Sequence, residues 1–173
     1  MIFHASIAAD EPARVANVIA EIWQGEAFRF PPWPGAYVAM AGDDRGSTLE
    51  VYPREHTIAP GEGDAMAQPQ IEETPLRLSC FHLAITTERS PQEILAIGAR
   101  EGWRTVRCSR GGFFDIIELW LENGLLVEVL TGEMQDDYRT NVNLNLWRWK
   151  KQGAPAAGTE IRHRESTIST TRP

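Results

Sequence analysis

The pattern of apolar and polar residues predicts the same succession of strands and helix twice along this chain. The opening "IFHASIA" is short, apolar-rich and lacks a helix cap, so it predicts a strand. In "DEPARVANVIAEIW" we expect a helix with Asp10 as N-cap and Pro12 in the first turn. Its apolar face is formed by Val15, Val18, Ile19 and Ile22. The segments "EAFRFPPWPGAYVAMAG" and "STLEVYP" then predict about three strands.

The second half repeats this order. "RLSCFHLAITT" predicts a strand, and a helix capped by Ser90 begins at Pro91. "GWRTVRCS", "FFDIIELWL" and "LLVEVLT" predict three strands, separated by the turns "RGG" and "ENG". Between the halves, "PGEGDAMAQPQIEETP" has the Pro, Gly and acidic composition of a linker.

The two halves align at a single offset. His82 follows His4 by 78 residues, and Glu128 follows Glu50 by the same 78. The same offset joins Phe3 to Phe81, Ile7 to Ile85, Gly46 to Gly124 and Val51 to Val129. Because the offset is equal at both ends, it indicates an internal repeat of one βαβββ module.

The repeat predicts an α+β fold in which two βαβββ modules form a cupped mixed sheet. We expect the first module over residues 1–59, a linker over 60–77 and the second module over 78–132. Residues 133–152 predict a C-terminal helical segment. Residues 153–173 are rich in Ala, Gly, Thr, Ser and charge, which predicts a disordered tail.

Each module has a histidine in its first strand and a lone glutamate in its last. A carboxylate between apolar neighbours, as at Glu50 and Glu128, is costly unless it is paired, hydrogen-bonded or metal-bound. Strand side chains alternate, so His4 and His82 share a face with small residues, and large apolar residues should face the helices. If the modules pair about a pseudo-twofold axis, these four side chains can converge. Such a donor set suits Zn²⁺, Ni²⁺, Fe²⁺, Co²⁺ or Mn²⁺.

Over residues 1–132, this pattern resembles the vicinal oxygen chelate superfamily, which includes glyoxalase I and bleomycin-resistance proteins. The resemblance implies a divalent transition-metal site built from His4, Glu50, His82 and Glu128. A carboxylate at Glu50 is similar to glyoxalase I. By the same resemblance, Glu128 is the candidate base and Glu50 is a second acid–base group or a plain ligand.

The resemblance implies a metal-dependent isomerase, epimerase or lyase that moves a proton next to a carbonyl of a small oxygenated metabolite. One alternative is a non-enzymatic binding protein, like the bleomycin-resistance members. Another is a metal-dependent dioxygenase, whose ligands would correspond to His4, His82 and Glu128. The segment "IAEIWQGEAF" lacks the Phe-Tyr pair and the Leu-Gly usual in the family. Glutathione-binding residues have no clear counterpart, which argues against a glutathione-linked substrate.

Net charge and composition argue against several classes of function. The net charge of −7 argues against a general nucleic-acid binder. With neither a signal-peptide pattern nor a stretch approaching 18 apolar residues, the sequence predicts a cytoplasmic protein that does not span a membrane. We expect Cys80 and Cys108 to be free thiols. The modules can pair within one chain or across a homodimer, and the equal offsets leave both open.

Four further residues, one histidine and three arginines, lie in sequence contexts that indicate a role less specifically. His56, just past the fourth predicted strand, is expected in a loop. Arg104, Arg107 and Arg110 lie on or beside one strand, where a solvated face is the default expectation. One of these three arginines is an alternative candidate for holding an anionic substrate in the cavity.

Overall fold

One helix and four strands occur in the same order in each module of this chain, in a computed structural model that describes residues 2–146 and Arg148. The predicted tail over 153–173 lies outside the described residues. The first module begins with a strand and a helix and continues with three strands, as expected. Its elements are β1 (His4–Ala9), α1 (Pro12–Trp23), β2 (Glu26–Arg29), β3 (Tyr37–Met40) and β4 (Thr48–Pro53).

The connection between the modules contains a β-hairpin. Strands β5 (His56–Ala59) and β6 (Gln68–Ile71) pair antiparallel, and His56 is aligned with Ile71. The expectation that His56 lies in a loop is therefore wrong. The β-branched residues Thr57 and Ile58 favour an extended backbone, and pairing with β6 supplies hydrogen-bond partners for that backbone.

The second module repeats the first and adds a helix at its end. Its elements are β7 (Leu83–Thr86), α2 (Pro91–Glu101), β8 (Thr105–Arg110), β9 (Phe114–Leu121), β10 (Leu125–Leu130) and α3 (Gly132–Asn141). A second compact unit begins at Val142, within the predicted helical segment. Among its described residues, the Leu146 backbone N–H donates to Asn143 Oδ1 at 2.9 Å. No helix in the described ranges is both long and apolar enough to cross a membrane.

Each module forms its own four-stranded mixed sheet with the same topology. The orders are β1-β4-β3-β2 and β7-β10-β9-β8. In both sheets the first strand runs parallel to the last, and the other pairs are antiparallel. The predicted α+β fold of two βαβββ modules is confirmed.

The repeat also holds in the pairing of individual residues. Ser6 is aligned with Glu50 in the first sheet, and Ala84 is aligned with Glu128 in the second. Both members of the second pair lie 78 residues after those of the first. The offset seen in the sequence is therefore the structural register of the two modules.

Alternate residues of the last strands separate a buried face from a polar one. Leu49, Val51, Val127 and Val129 are almost fully buried and belong to a single apolar core shared by both modules and by α1 and α2. Side chains alternate along a strand, so the two intervening glutamates point to the faces opposite this core.

The phenylalanines before the histidines do not lie under the helices. Ile7 and Ile85 are buried as expected, but the side chains of Phe3 and Phe81 are 62% and 45% exposed. Both phenylalanines precede the first residue of their strand. The alternation that buries the isoleucines therefore does not extend back to them.

Helices α1 and α2 begin in different ways. The predicted capping of α2 is confirmed, because Ser90 and Glu93 form a reciprocal capping box. In α1 the N-cap is Glu11 rather than the predicted Asp10, and no local side chain caps the helix. The backbone N–H groups of Asp10 and Glu11 instead donate to the Glu122 carboxylate, each at 2.7 Å. A residue of the second module therefore replaces the local cap.

Candidate functional site

In the first module, two hydroxyl groups hold the carboxylate of Glu50. Ser6 Oγ donates to Glu50 Oε2 at 3.0 Å, and Tyr52 Oη donates to the same oxygen at 2.7 Å. All three side chains lie on the sheet face opposite α1, because Ser6 and Glu50 are aligned and Tyr52 is two residues further along β4. Within the described residues no donor reaches Glu50 Oε1, so this oxygen is open to a ligand.

The Tyr52 phenol is set up to remain a donor. Burial, and then the hydrogen bond to Glu50, raise the pKa of Tyr52 above its ordinary value. The hydroxyl is therefore protonated throughout the physiological range. The Tyr52 ring meets Trp33 edge-on at 5.1 Å and Phe30 at 6.1 Å between ring centroids, which fixes its orientation.

Apolar side chains on the same sheet face are partly exposed. Val38 is aligned with Glu50, and Phe28 is aligned with Val38, so the three share one face. Phe28 and Met40 are exposed. Beside the aromatic residues, the Trp33 and His56 ring centroids lie 6.4 Å apart. The Nδ1 atom of His56 is buried without a hydrogen-bond partner among the described residues.

In the second module, an arginine takes the place of the hydroxyl groups. Arg110 Nη2 donates to Glu128 Oε1 at 2.5 Å and to Glu118 Oε1 at 3.0 Å. Trp120 Nε1 donates to Glu118 Oε2 at 3.2 Å. The Arg110 side chain is 34% exposed, while both carboxylates are more buried. One cation thus joins two carboxylates on adjacent strands.

Burial and contacts determine the ionisation states of Arg110, Glu118 and the nearby Cys108. Burial alone would lower the pKa of Arg110, but the bonds to Glu128 and Glu118 raise it. Burial alone would raise the pKa of Glu118, but the bonds from Trp120 and Arg110 lower it. Burial and the nearby charge of Glu118 raise the pKa of Cys108. At neutral pH the guanidinium and the Glu118 carboxylate are therefore charged, and Cys108 is a protonated thiol.

The two glutamates have different partners because the repeat has diverged around them. Ala84 stands in the register position of Ser6, and Leu130 follows Tyr52 by 78 residues. Neither replacement can donate a hydrogen bond to Glu128. Its carboxylate is instead neutralised by Arg110.

The two histidines lie at or immediately before the first residue of their strands, and both are exposed. His4 is the first residue of β1, and His82 immediately precedes β7. His82 Nδ1 is 3.1 Å from the Cys80 carbonyl oxygen. The thiols of Cys80 and Cys108 are free, as expected.

The four predicted metal ligands are held in separate groups. Among the described residues there is no group of three or more His, Cys, Asp or Glu side chains that could hold a metal ion. Glu128 is paired with Arg110, and Glu50 is bonded to two hydroxyls. A metal would require the carboxylate of Glu128 to leave its guanidinium partner. The donors of one chain, as arranged, do not fit a divalent cation, and the four-residue site stays a prediction.

Sequence reasoning missed several residues that surround the two glutamates. Ser6 and Tyr52 lie two residues from His4 and Glu50, so the alternation of strand side chains placed them on the polar faces. Glu118 in "FFDIIELWL" is a lone carboxylate in an apolar strand, which is the signal that singled out Glu128.

Comparisons with known proteins identify the fold. No protein-family model and no curated protein matches the sequence. The fosfomycin resistance protein FosX from Listeria monocytogenes is similar in structure, with a TM-score of 0.51 and 11% identity over 79% of this chain and 97% of that one. Lactoylglutathione lyase from Agrobacterium tumefaciens has a TM-score of 0.50 and 12% identity over 77% and 94%. This chain has the vicinal oxygen chelate fold. At these identities the likeness concerns the fold alone.

Proposed function

We propose that this chain of vicinal oxygen chelate fold binds a small oxygenated molecule against the polar faces of its two sheets, without converting it. The observation that carries the proposal is the pairing of Glu128 with Arg110, because it neutralises the carboxylate expected to act as base and ligand. In the first module, Glu50 Oε2 accepts hydrogen bonds from Ser6 and Tyr52. Polar groups that are already paired favour recognition of a ligand over proton transfer.

A divalent-metal-dependent isomerase, epimerase or lyase is the second candidate. The observation in its favour is the equal register of the two glutamates, each in the last strand of a module that begins with a histidine. In this candidate Glu128 is the base and Glu50 a second acid–base group or ligand. It requires Arg110 to release Glu128.

For either candidate we propose a site completed by a second copy of the chain. Both sheets turn their apolar faces to one shared core, so the faces that carry Glu50 and Glu128 point away from that core. A homodimer would bring the polar face of one chain's first module against that of the other chain's second module. The ligand would lie between them.

Mixed dimers test this arrangement. One chain would carry His4→Ala and Glu50→Gln, and the other His82→Ala and Glu128→Gln. If two chains share each site, every mixed dimer has one intact site, and a random mixture, in which about half of the dimers are mixed, regains about a quarter of the wild-type ligand capacity. If each site lies within one chain, mixing restores nothing.

Metal content and ligand binding separate the two candidates. The full chain, purified without added metal or chelator, would be subjected to elemental analysis and screened by NMR against small carbonyl-bearing fragments. We expect a fragment whose binding weakens in Glu50→Gln and no stoichiometric metal. About one transition metal per site, lost in the double variant His4→Ala, His82→Ala, would favour the enzyme and overturn the binding protein.

A further inference from the structure

Arg110 has hydrogen-bonding capacity that the protein does not use. Its bonds to Glu118 and Glu128 both come from Nη2. Within the described part of the chain, Nε and Nη1 make no hydrogen bond to a protein acceptor. A guanidinium carries N–H donors on all three nitrogens, and the side chain is about one-third exposed. The unused donors are therefore available to an acceptor atom of a ligand.

The charges around Arg110 restrict which acceptor would bind. Two carboxylates face the one guanidinium at hydrogen-bonding distance, and Arg104 influences Glu118 only through its longer-range charge. The group therefore has no excess of positive charge to attract an anion. A neutral oxygen acceptor, such as a carbonyl or amide oxygen, gains the hydrogen bond without opposing the two carboxylates.

The sheet face that carries Arg110 also carries apolar side chains that are partly exposed. Val106 is aligned with Glu118, and Leu126 with Trp120, so these side chains lie on the same sheet face as Arg110. Val106, Trp120 and Leu126 are all of intermediate exposure. A ligand with an apolar or aromatic body can cover them while its oxygen reaches the guanidinium.

We propose that Arg110 takes the place of a bound metal cation in this protein: it neutralises Glu128 and Glu118 and donates a hydrogen bond to the oxygen of a neutral, largely apolar ligand. The inference rests on the proposed ligand-binding function and names its ligand class. It also accounts for the poor fit of the four predicted ligands to a metal, because the guanidinium occupies the carboxylate that a metal would need.

Two matched probes test the ligand class. Benzamide and benzoate have the same shape, but the first is neutral and the second is an anion. Each would be titrated into the full ¹⁵N-labelled chain while the indole N–H signal of Trp120 is followed, since this group bonds to Glu118 beside Arg110. We expect benzamide to shift the signal and to bind at least about tenfold more tightly than benzoate.

Two variants of the arginine test its role. Arg110→Gln should weaken benzamide binding about tenfold or more, and Arg110→Lys should restore part of it, because the lysine keeps a charged donor. The control is Arg107→Gln on the same strand, since Arg107 is paired with Asp115 on the other sheet face. Circular dichroism of each variant verifies that the fold is intact.

Metal binding gives an independent readout. After equilibrium dialysis against zinc or nickel, elemental analysis should find little metal in the wild type and more in Arg110→Gln, whose two carboxylates have lost their cation. Stoichiometric metal in the wild type, or tighter binding of benzoate than of benzamide, would overturn the proposal. So would benzamide binding that is equal in Arg110→Gln.

The outcomes distinguish this inference from the proposed function. If benzamide does not bind but the fragment screen finds a ligand sensitive to Glu50→Gln, the binding function stands and the role of Arg110 is wrong. If no carbonyl-bearing ligand binds at all, both are wrong.

Discussion

The carboxylate of Glu122 caps helix α1 by accepting the backbone N–H of Glu11 at 2.7 Å, across the boundary between the two modules. Its second oxygen accepts the N–H of Asp10 and a bond from Arg54 Nη2 at 2.8 Å. The side chains of Arg54 and Glu122 are only 9% and 8% exposed. Arg77 also reaches Asp10, at 2.6 Å. The junction of the modules is therefore held by one charge network, in which the Arg54–Glu122 pair is buried and Asp10 and Arg77 are partly exposed.

We predict that Glu122→Ala lowers the free energy of unfolding by about 2 kcal/mol, because it removes the acceptor of two backbone N–H groups at the start of α1 and leaves the buried Arg54 paired with Asp10 alone. Urea denaturation of the full chain would measure the change. The exposed Glu62, which has no side-chain partner among the described residues, supplies the control Glu62→Ala. Equal stability of the two variants would show that the network contributes little.

Acid should weaken the contact between α1 and α2. The bond from Arg100 lowers the pKa of Glu21, and the bond from Arg14 lowers that of Glu101. A carboxylate whose pKa is lower in the folded state stabilises the fold above its unfolded pKa, and this contribution is lost as the pH falls through the folded value. The unfolding free energy should therefore fall as the pH drops below the ordinary value of 4.5.

Urea titrations between pH 7 and pH 3 would measure this dependence. Glu21→Gln removes one of the titrating groups, so its stability should vary less with pH than that of the wild type. A variant with the same pH profile as the wild type would contradict the assignment to this ion pair.

Removing the Tyr52 hydroxyl should affect both stability and the polar face. Tyr52→Phe deletes the 2.7 Å bond to Glu50 and leaves the carboxylate with Ser6 alone. We expect a loss of about 1 kcal/mol in urea denaturation. Tyr37→Phe is the matched control, because the Tyr37 hydroxyl has no hydrogen bond within the described residues. A loss as large in the control would show that the bond to Glu50 adds nothing.

Gly98 is required by packing rather than by its backbone conformation. A Cβ atom added at Gly98, in α2, would lie 1.8 Å from Thr105 Oγ1 and 2.6 Å from Thr105 Cβ, at the start of β8. We predict that Gly98→Ala lowers the unfolding free energy by about 2 kcal/mol, although alanine favours helix more than glycine does.

Thermal or urea denaturation would test this expectation. A second change, Thr105→Gly, should recover part of the stability by removing the side chain that clashes. Gly132→Ala is the control, because nothing lies within 4 Å of its added Cβ. Stabilisation by Gly98→Ala would show that the helix shifts freely on the sheet.

Most of the fold could be predicted from the sequence because each module of the repeat can be compared with the other. A constant offset between His4 and His82 and between Glu50 and Glu128 requires two copies of the same register, and the alignments of Ser6 with Glu50 and of Ala84 with Glu128 follow it. Local signals of this kind depend on residues close together in the chain or on a strict period. Predictions made from such signals do not depend on tertiary contacts, and the structure agrees with them.

The features that sequence reasoning missed depend on distant parts of the chain. Glu122 caps α1 from a position 111 residues away, which no local capping pattern can indicate. Arg110 was one of three candidate arginines, and only the pairing of β8 with β9 and of β9 with β10 brings it to Glu128. The default expectation for these arginines was a solvated face, whereas the structure pairs Arg110 with two of the protein's own carboxylates. The partners of the site therefore required the tertiary structure.

The single core has a consequence for how the two halves depend on each other. The covalent link between the modules runs through the β5–β6 hairpin, whereas their adhesion lies in the apolar core and the Glu122 network. The covalent connection between the modules and the noncovalent contacts that hold them together therefore lie in different parts of the molecule. A backbone cut in the hairpin would leave two chains that still complete one another's interior, as if the protein were a heterodimer joined by a tether.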